Sequence, residues 1–436
     1  MRMCELLVGL PDVDVVGVED IPEGPLRVHV TCRQQDRWCR ECGAWAELKD
    51  RAKIELVDLS AFGRQARLVW HKYRWVCPHV GCPAGSWTQT DPRIAWPRML
   101  LTDRAGRWAT EQVGRCARSV NEIAIELGCD WHTINDTVIA YGTALVDDDK
   151  DRFGVVEAVG LDEVLFVKLG PYHRQHYSTQ IVDVEKGQLL DVVPGRSGKE
   201  PTKWLEAQGK PWCDQVRFAT LDLSGTYRAV FDAVLPDAIQ VADPFHVCKL
   251  ANTKLDECRR RVQSQTMGHR GRKSDPLYRC RRLLTKADER LDENGKTKLL
   301  GLLAAGDPDG EVATAWRAKE AVRDLYTHRD PDLALAWTER LATELTQAQQ
   351  PTEVRSLGRT LIRWKPQIVA WHSAHVSNGP TEAINNLVKR VKRAAFGFTS
   401  FRNYRIRSLL YAGKPNWDLL AAVTPRWDLL AKIKPR

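Results

Sequence analysis

The sequence predicts a multidomain α/β protein, and the prediction depends on chain length, on shifts of composition along the chain and on the spacing of cysteines. The chain has 436 residues, enough for several domains of ~100–200 residues each. Strand-like runs fill residues 1–95, a helical segment follows to about 150, strand-like runs return over 153–245, and helical residues then dominate to about 371. These shifts predict a mixed sheet interrupted by an all-helical insertion.

The composition excludes a membrane-spanning protein and permits a polyanionic partner. Lys and Arg number 65 against 56 Asp and Glu, a net charge of +9. This excess suits nucleic acid, although many enzymes without such a partner are equally basic. No uncharged stretch reaches the ~20 mostly apolar residues of a membrane span. Acidic residues interrupt the N-terminal segment, so we expect no secretory signal and a cytoplasmic protein.

Two pairs of cysteines near the N-terminus predict a structural zinc site. Cys39 and Cys42 form a CxxC pair, and Cys77 and Cys82 form a second pair further along the chain. Four thiolates on two turns give the tetrahedral coordination of Zn²⁺, and the alternating residues between the pairs could form a hairpin that joins them. His79 could replace one cysteine, and unrelated buried cysteines are the alternative. We expect a zinc ribbon.

The segment from Ser119 onward has the pattern of a helix-turn-helix. Ala124 is small where two helices would cross, Gly128 lies where the turn needs positive φ, and Asp130 could cap the second helix. An ordinary helical hairpin is the alternative. In a helix-turn-helix the first turn of the second helix would face a DNA major groove and present four side chains: Trp131, His132, Thr133 and Asn135.

Three acidic residues are candidates for a metal-dependent active site. Asp162 lies in the first strand-like run after residue 153, Asp222 ends the fourth run, and Glu382 begins a later helix. Three strands, a helix, a strand, a helix and a strand are the element order of an RNase H-like fold, in which the first and fourth strands are neighbours. We therefore expect the three carboxylates to converge. Such carboxylates hold two divalent ions that promote phosphodiester chemistry.

Other acidic residues near these positions have different expected roles. Asp243 ends the last strand-like run and could approach the same ions, or it could orient a neighbour such as His246. Glu163 and Asp183 are expected to lie outside the site, because successive residues of a strand point to opposite faces of a sheet.

A basic cluster follows Glu382 and alternates with aromatic residues. Such side chains could neutralise DNA phosphates close to a catalytic site. A solvated charged surface is the alternative. The candidates for DNA contact are Lys389, Arg390, Lys392 and Arg393.

The order of these motifs resembles the ISL3 family of bacterial insertion-sequence transposases. Behind the CxxC and helix-turn-helix modules come four segments in the family's order: GLDE, ATLDLSGTYRAVF, IQVADPFHVCKL and SNGPTEAINNLVKRVKRAAFGF. The resemblance implies a DDE transposase in which Asp162, Asp222 and Glu382 bind Mg²⁺ or Mn²⁺. It also implies that the long segment between Asp222 and Glu382 is an insertion within the RNase H-like fold.

The resemblance further implies what the protein acts on. The partner would be double-stranded DNA, which includes the terminal inverted repeats of the element and the target DNA. The protein would bind this DNA as a homodimer associated with the nucleoid. Cleavage would free a 3′-OH that attacks the target DNA. Two alternatives are a non-enzymatic zinc and helix-turn-helix regulator, which needs no convergent acids, and a nuclease without strand transfer.

The predicted domains follow from these assignments. A tail with a short WDLLA repeat has no assigned role. The predicted order is a zinc ribbon at 1–95, a helix-turn-helix at 96–150, an RNase H-like core at 151–247 and 372–415, a helical insertion at 248–371 and the tail at 416–436.

Overall fold

A computed structural model describes residues 8–10, 12–33 and 36–427 of the chain. The chain divides into two compact units: Met1–Phe153 with Leu387–Arg436, and Gly154–Asn386. Each unit contains one five-stranded sheet. Among the described residues, no helix has the length and apolar character needed to cross a membrane.

The first unit begins with a sheet whose long hairpin separates the two cysteine pairs. The hairpin turns at Phe62 and Gly63, both at positive φ, as two-residue hairpin turns require. Val30, Leu68 and Trp70 are almost fully buried and form its core. The order is β1-β2-β4-β3, with β5 paired to β4. The strands are β1 Val13–Glu19, β2 Leu26–Cys32, β3 Glu47–Ala61, β4 Arg64–Val76 and β5 Ser86–Thr88.

Helices complete the first unit. Gly142 lets two of them approach closely, because a Cβ at this position would lie 2.8 Å from Leu410 Cδ1 and 2.9 Å from Ile406 Cγ2. The helices are α1 Asp103–Gly114, α2 Val120–Leu127, α3 Trp131–Asp147 and α14 Phe401–Ala412. The first WDLLA copy is a short 3₁₀ helix, Trp417–Ala421, whereas the second copy lies almost entirely outside the described residues.

In the sheet of the second unit the first and fourth strands are neighbours, as the sequence predicts. The order is β10-β9-β6-β7-β8, with β6 central and β9 parallel beside it. A tight turn joins β7 to β8, and Asp183 Oδ1 accepts hydrogen bonds from the backbone N–H groups of Glu185 and Lys186, both at 3.0 Å. The strands are β6 Ala158–Leu169, β7 Arg174–Asp183, β8 Gln188–Pro194, β9 Phe218–Leu221 and β10 Ile239–Ala242.

The helices of the second unit include the predicted all-helical segment. Three helices lie between the strands: α4 Lys199–Gln208, α5 Lys210–Cys213 and α6 Gly225–Val234. From Pro244 to Ala374 the described chain contains no strand. Its helices are α7 Pro244–Met267, α8 Pro276–Thr285, α9 Glu293–Gly306, α10 Glu311–Leu325, α11 Pro331–Leu345 and α12 Thr352–Ala374. Helix α13, Gly379–Ala394, follows.

Candidate active site and DNA-binding elements

Asp162 lies in β6, and Asp222 directly follows β9, the parallel strand beside it. Gly160 of β6 pairs with Thr220 of β9, and each acid follows two residues later, so the two acids lie at matching positions of the chain. Within β6, Asp162 is on the same face of the sheet as Gly160. Burial raises the pKa of Asp162 to about 6, and the nearby charge of Asp222 adds to the effect. Two carboxylates that repel each other at a partly buried position are typical of a cation site.

The N-terminal half of α13 packs across this same face. Asn378, Thr381 and Asn385 are buried there. A Cβ on Gly160 would lie only 2.3 Å from Thr381 Oγ1, so the missing side chain allows the helix to approach. Asn385 Nδ2 donates a hydrogen bond to Asp162 Oδ2 at 2.6 Å. The helix is thereby fixed against the strand that carries Asp162.

Glu382 is connected to the end of β10 through a histidine. The side chain of Glu382 is 42% exposed, and its Oε1 lies 3.5 Å from His246 Nε2. His246 Nδ1 lies 2.9 Å from Asp243 Oδ2, and this hydrogen bond raises the pKa of His246. Asp243 Oδ1 accepts from the backbone N–H of Asn378 at 3.2 Å. Both oxygens of Asp243 are therefore occupied, which favours the interpretation that it orients His246.

The oxygen atoms around Asp162 suit a divalent cation. Asp222 Oδ1 and Asn385 Oδ1 are buried and have no hydrogen-bond partner in the described part of the chain, and hard cations prefer such oxygen ligands. Across the described residues, only the four N-terminal cysteines form a group of three or more potential ligands within 4.8 Å of one another. The close convergence of Asp162, Asp222 and Glu382 therefore stays a prediction.

The two acids that were expected to lie outside the site make other contacts. Glu163 Oε2 accepts a hydrogen bond from the Tyr227 hydroxyl at 3.2 Å. Asp183 is fully buried in the turn after β7.

The four cysteines of the first unit come together as predicted. The Sγ atoms of Cys39 and Cys82 are 3.7 Å apart, and those of Cys42 and Cys77 are 3.5 Å apart. Four thiolates around Zn²⁺ at ~2.3 Å would be separated by roughly 3.8 Å in a tetrahedron. This cluster could bind zinc, and His79 is exposed outside it.

Backbone groups lie close to these thiols, and they lower the pKa of one of them. The backbone N–H of Cys42 is the main group that lowers the pKa of Cys39, to about 7. Cys77 N donates to Gly85 O at 2.9 Å, and Gly81 and Gly85 have positive φ. The thiolate is the form that binds metal. The lowered pKa belongs to Cys39, whereas the pKa values of Cys77 and Cys82 are raised, so the support for a metal site is the position of the four sulfur atoms.

The predicted helix-turn-helix pattern corresponds to helices α2 and α3. Ser119 and Glu122 form a capping box at the start of α2, and Gly128 ends the helix with φ 67°. Asp130 caps α3 by accepting from the backbone N–H of Thr133. Arg67 Nη1 of β4 donates to Leu127 O at 3.0 Å. This cation satisfies a carbonyl at the end of α2, where the helix dipole is negative.

Three of the four predicted DNA-reading residues lie at or near the surface. Trp131 is 42% exposed, His132 is exposed and Thr133 is half-buried. Asn135 departs from the prediction, because it is only 6% exposed and its Oδ1 accepts from Asn403 Nδ2 at 3.1 Å. A residue of the C-terminal segment therefore covers this position of α3.

The basic cluster after Glu382 is mostly at the surface. Lys389, Arg390 and Arg393 are exposed, while Lys392 is half-buried. Burial lowers the pKa of Lys392. The Arg390 guanidinium lies over the Tyr411 ring at 5.7 Å from its centroid.

Four residues that complete the acid site were not identified from the sequence. Gly160 could have been, since an isolated glycine in a strand often marks close approach of other atoms. Asn385 follows Glu382 by three positions on α13, a spacing that keeps residues on adjoining parts of one helix face. Asn378 and Thr381 carry no comparable signal, because their role depends on the sheet beneath them.

Comparison with known proteins agrees with this arrangement. A family model for the ISL3 type of DDE transposase, described as "Transposase", matches residues 159–408. The transposase for insertion sequence element IS1557, from two strains of Mycobacterium tuberculosis, is 26% identical over 425 residues, with 89% of each chain covered. The transposase for insertion sequence element IS1001 of Bordetella parapertussis is 24% identical over 398 residues, which cover 88% of this chain and 91% of the relative. Because the family model matches more than half of it, the chain belongs to the ISL3 family of insertion-sequence transposases.

Proposed function

We propose that this transposase binds the terminal inverted repeats of its own element and cuts and joins DNA at a DDE site in an RNase H-like core. The observation that supports the proposal most is the position of Asp162 in β6 and of Asp222 directly after the adjacent parallel strand β9, with the helix of Glu382 bonded to Asp162 through Asn385. A DNA-binding regulator without enzymatic activity would not require this arrangement of acidic residues.

The acidic residues would hold Mg²⁺ or Mn²⁺. When bound, such ions activate the attacking oxygen and stabilise the leaving oxygen of a phosphodiester. Asn385 holds the carboxylate of Asp162 in one orientation, and His246 holds Glu382. Because Asp243 occupies the other nitrogen of His246, its ring has a fixed direction. These contacts hold the ligand atoms in a fixed orientation before a metal ion binds.

The first unit would recognise the DNA. The first turn of α3 enters the major groove with Trp131, His132 and Thr133, and the cysteine cluster holds a structural Zn²⁺ that keeps the N-terminal sheet folded. Lys389, Arg390 and Arg393 contact the sugar-phosphate backbone. Two copies of the chain act together on the two ends of the element.

The test of this function is cleavage of labelled repeat DNA by wild type and by Glu382→Gln. Gln keeps the shape of the side chain and removes the charge that a metal ligand needs, so we expect cleavage to fall by several orders of magnitude while gel-shift binding persists. Mg²⁺ or Mn²⁺ should be required, and Zn²⁺ should not substitute.

A matched control separates the loss of this carboxylate from a general effect of charge. Glu206→Gln makes the same change on the exposed surface of α4 and should cleave normally. Unchanged cleavage by Glu382→Gln would remove Glu382 from the active site. Loss of both binding and cleavage, together with a lower unfolding temperature, would indicate misfolding instead.

A further inference from the structure

A small cavity lies beside the helix-turn-helix, within the first unit. Its volume is about 110 Å³, and it is enclosed by the N-terminal ends of α2, α3 and α14 and by the loop that follows α13. Ser119, Trp131, Ser400 and Arg407 are among the residues that line it. Arg407 is the one charged residue in this lining, and no carboxylate lines the cavity.

Arg407 is buried, and no carboxylate of the described residues pairs with it. It is 4% exposed, and its Nε and Nη2 have no hydrogen-bond partner. Its guanidinium lies over the Phe398 ring at 5.3 Å from the centroid. Burial lowers the pKa of Arg407 to about 10, which still leaves the side chain charged at neutral pH. Buried charged groups are normally paired, so this guanidinium lacks the anion that its donors require.

The helix ends around the cavity add to its preference for an anion. Ser119 caps the start of α2, Ser400 caps the start of α14, and α3 begins at Trp131. A helix N-terminus carries a partial positive charge and unpaired N–H groups. Glu122 offsets this at α2 through its capping contact, and the Asp130 cap offsets it at α3. The preference for an anion therefore comes from α14, which has no acidic residue in its first turn.

We propose that this cavity binds a phosphate group of the DNA backbone, held by the Arg407 guanidinium and the N-terminal turn of α14. The inference rests on the proposed function, because it assumes that the helix-turn-helix binds DNA. It gives the buried Asn135 a role that the sequence did not predict. Asn135, which accepts a hydrogen bond from Asn403, forms part of the wall of a phosphate site. Phosphate contacts of this kind fix the register of a recognition helix on the duplex.

The first experiment measures thermal unfolding of the full-length, zinc-loaded protein in phosphate and in chloride at equal ionic strength. Phosphate should raise the unfolding temperature of wild type by about 2 °C or more, and Arg407→Met should abolish this response. Arg115→Met is the control, because it removes the same charge from an exposed ion pair with Glu111 and should respond as wild type does. Absence of phosphate stabilisation in wild type would overturn the proposal.

The same measurement tests whether Arg407 is simply structural. Removal of a buried, unpaired charge should not lower the unfolding temperature in chloride. A clear fall for Arg407→Met would mean that the guanidinium supports the fold, and the proposal would be overturned.

The second experiment distinguishes a DNA phosphate from free phosphate. Binding of a non-specific duplex is measured against salt concentration, so the result does not depend on repeat recognition or on cleavage. Arg407→Met should weaken binding roughly ten-fold and reduce the slope of log affinity against log salt by about one, while Arg115→Met changes neither. Phosphate stabilisation with an unchanged slope would show that the cavity takes free phosphate and would overturn the DNA assignment.

Discussion

Gly160 controls how closely α13 can approach the strand that carries Asp162. An added Cβ would lie 2.3 Å from Thr381 Oγ1 and 2.6 Å from Val184 Cγ1. We expect Gly160→Ala to push the helix of Glu382 away from the sheet. Cleavage should fall roughly 10–100-fold, because small displacements at an active site are costly, and unfolding should become easier by about 1–3 kcal/mol. Strand-cleavage rates and urea unfolding measure the two effects.

Gly301 provides the control for this substitution. It lies inside α9, and an added Cβ would meet no other atom within 4 Å. Gly301→Ala should therefore be neutral or stabilise the protein by about 0.4–1 kcal/mol. Full cleavage activity by Gly160→Ala would mean that the approach of α13 to β6 does not position Glu382.

At this site, some individual residues could be predicted from the sequence and others could not. Asp162 and Asp222 could be identified because a strand pattern and a family resemblance point to the same positions. The partner of Asp162 is Asn385, 223 positions later in the chain, and no local pattern relates the two. The same holds for Asn378, whose backbone N–H reaches Asp243 across 135 positions. Such pairs follow from packing, which depends on the whole fold.

Among the elements, the cysteine cluster gives the clearest prediction. Cys77→Ser should release zinc and unfold the N-terminal sheet, because the binding free energy of a structural metal contributes directly to folding. Cys77 lies at the end of the long hairpin, with its Sγ 3.5 Å from that of Cys42. Metal analysis and circular dichroism of the reduced protein measure the two outcomes.

A second cysteine substitution controls for the loss of a thiol. Cys116 is exposed and lies outside the cluster, so Cys116→Ser should retain zinc and fold normally. Wild-type protein that contains no zinc, after reduction and purification without chelators, would contradict the metal assignment.

The elements whose capping and turn residues lie close together in the sequence were the easiest to predict. The two helices α2 and α3 could be predicted because the capping box, Gly128 and the Asp130 cap lie within a few residues of one another. The exposure of each side chain along α3 could not be predicted in the same way. Asn135 is covered by Asn403, 268 positions away, and the period of a single helix does not reveal such a contact.

At the scale of the whole molecule, the chain returns to its first unit after the second is complete. The residues from Leu387 onward group with the N-terminal elements, whereas Glu382 and Asn385 group with the sheet of Asp162. The sequence predicts that α13 is one helix. The amino-acid composition is similar on both sides of the point where this helix passes from one unit to the other, so composition does not reveal the boundary. Only three-dimensional packing reveals this division.

Arg390 and Arg393 allow a prediction about how the whole protein binds DNA. Both are exposed on the part of α13 that belongs to the first unit, and both lie outside the turn of α3 that we propose to read the groove. We expect them to contact phosphates. Arg393→Ala should weaken binding to all duplexes alike and reduce the salt slope by roughly one unit per lost contact. Titrations of repeat and unrelated duplexes at several salt concentrations measure this.

Arg217→Ala is the control for Arg393→Ala, because it shows whether the effect depends on the position of the lost charge or only on the loss of a charge. Arg217 is exposed and paired with Glu157, so its loss changes the net charge equally but should leave the salt slope unchanged. A phosphate contact carries no sequence information, since every nucleotide presents the same group. If Arg393→Ala instead changes the preference among repeat sequences at constant salt, Arg393 contacts base edges, and recognition extends beyond the first turn of α3.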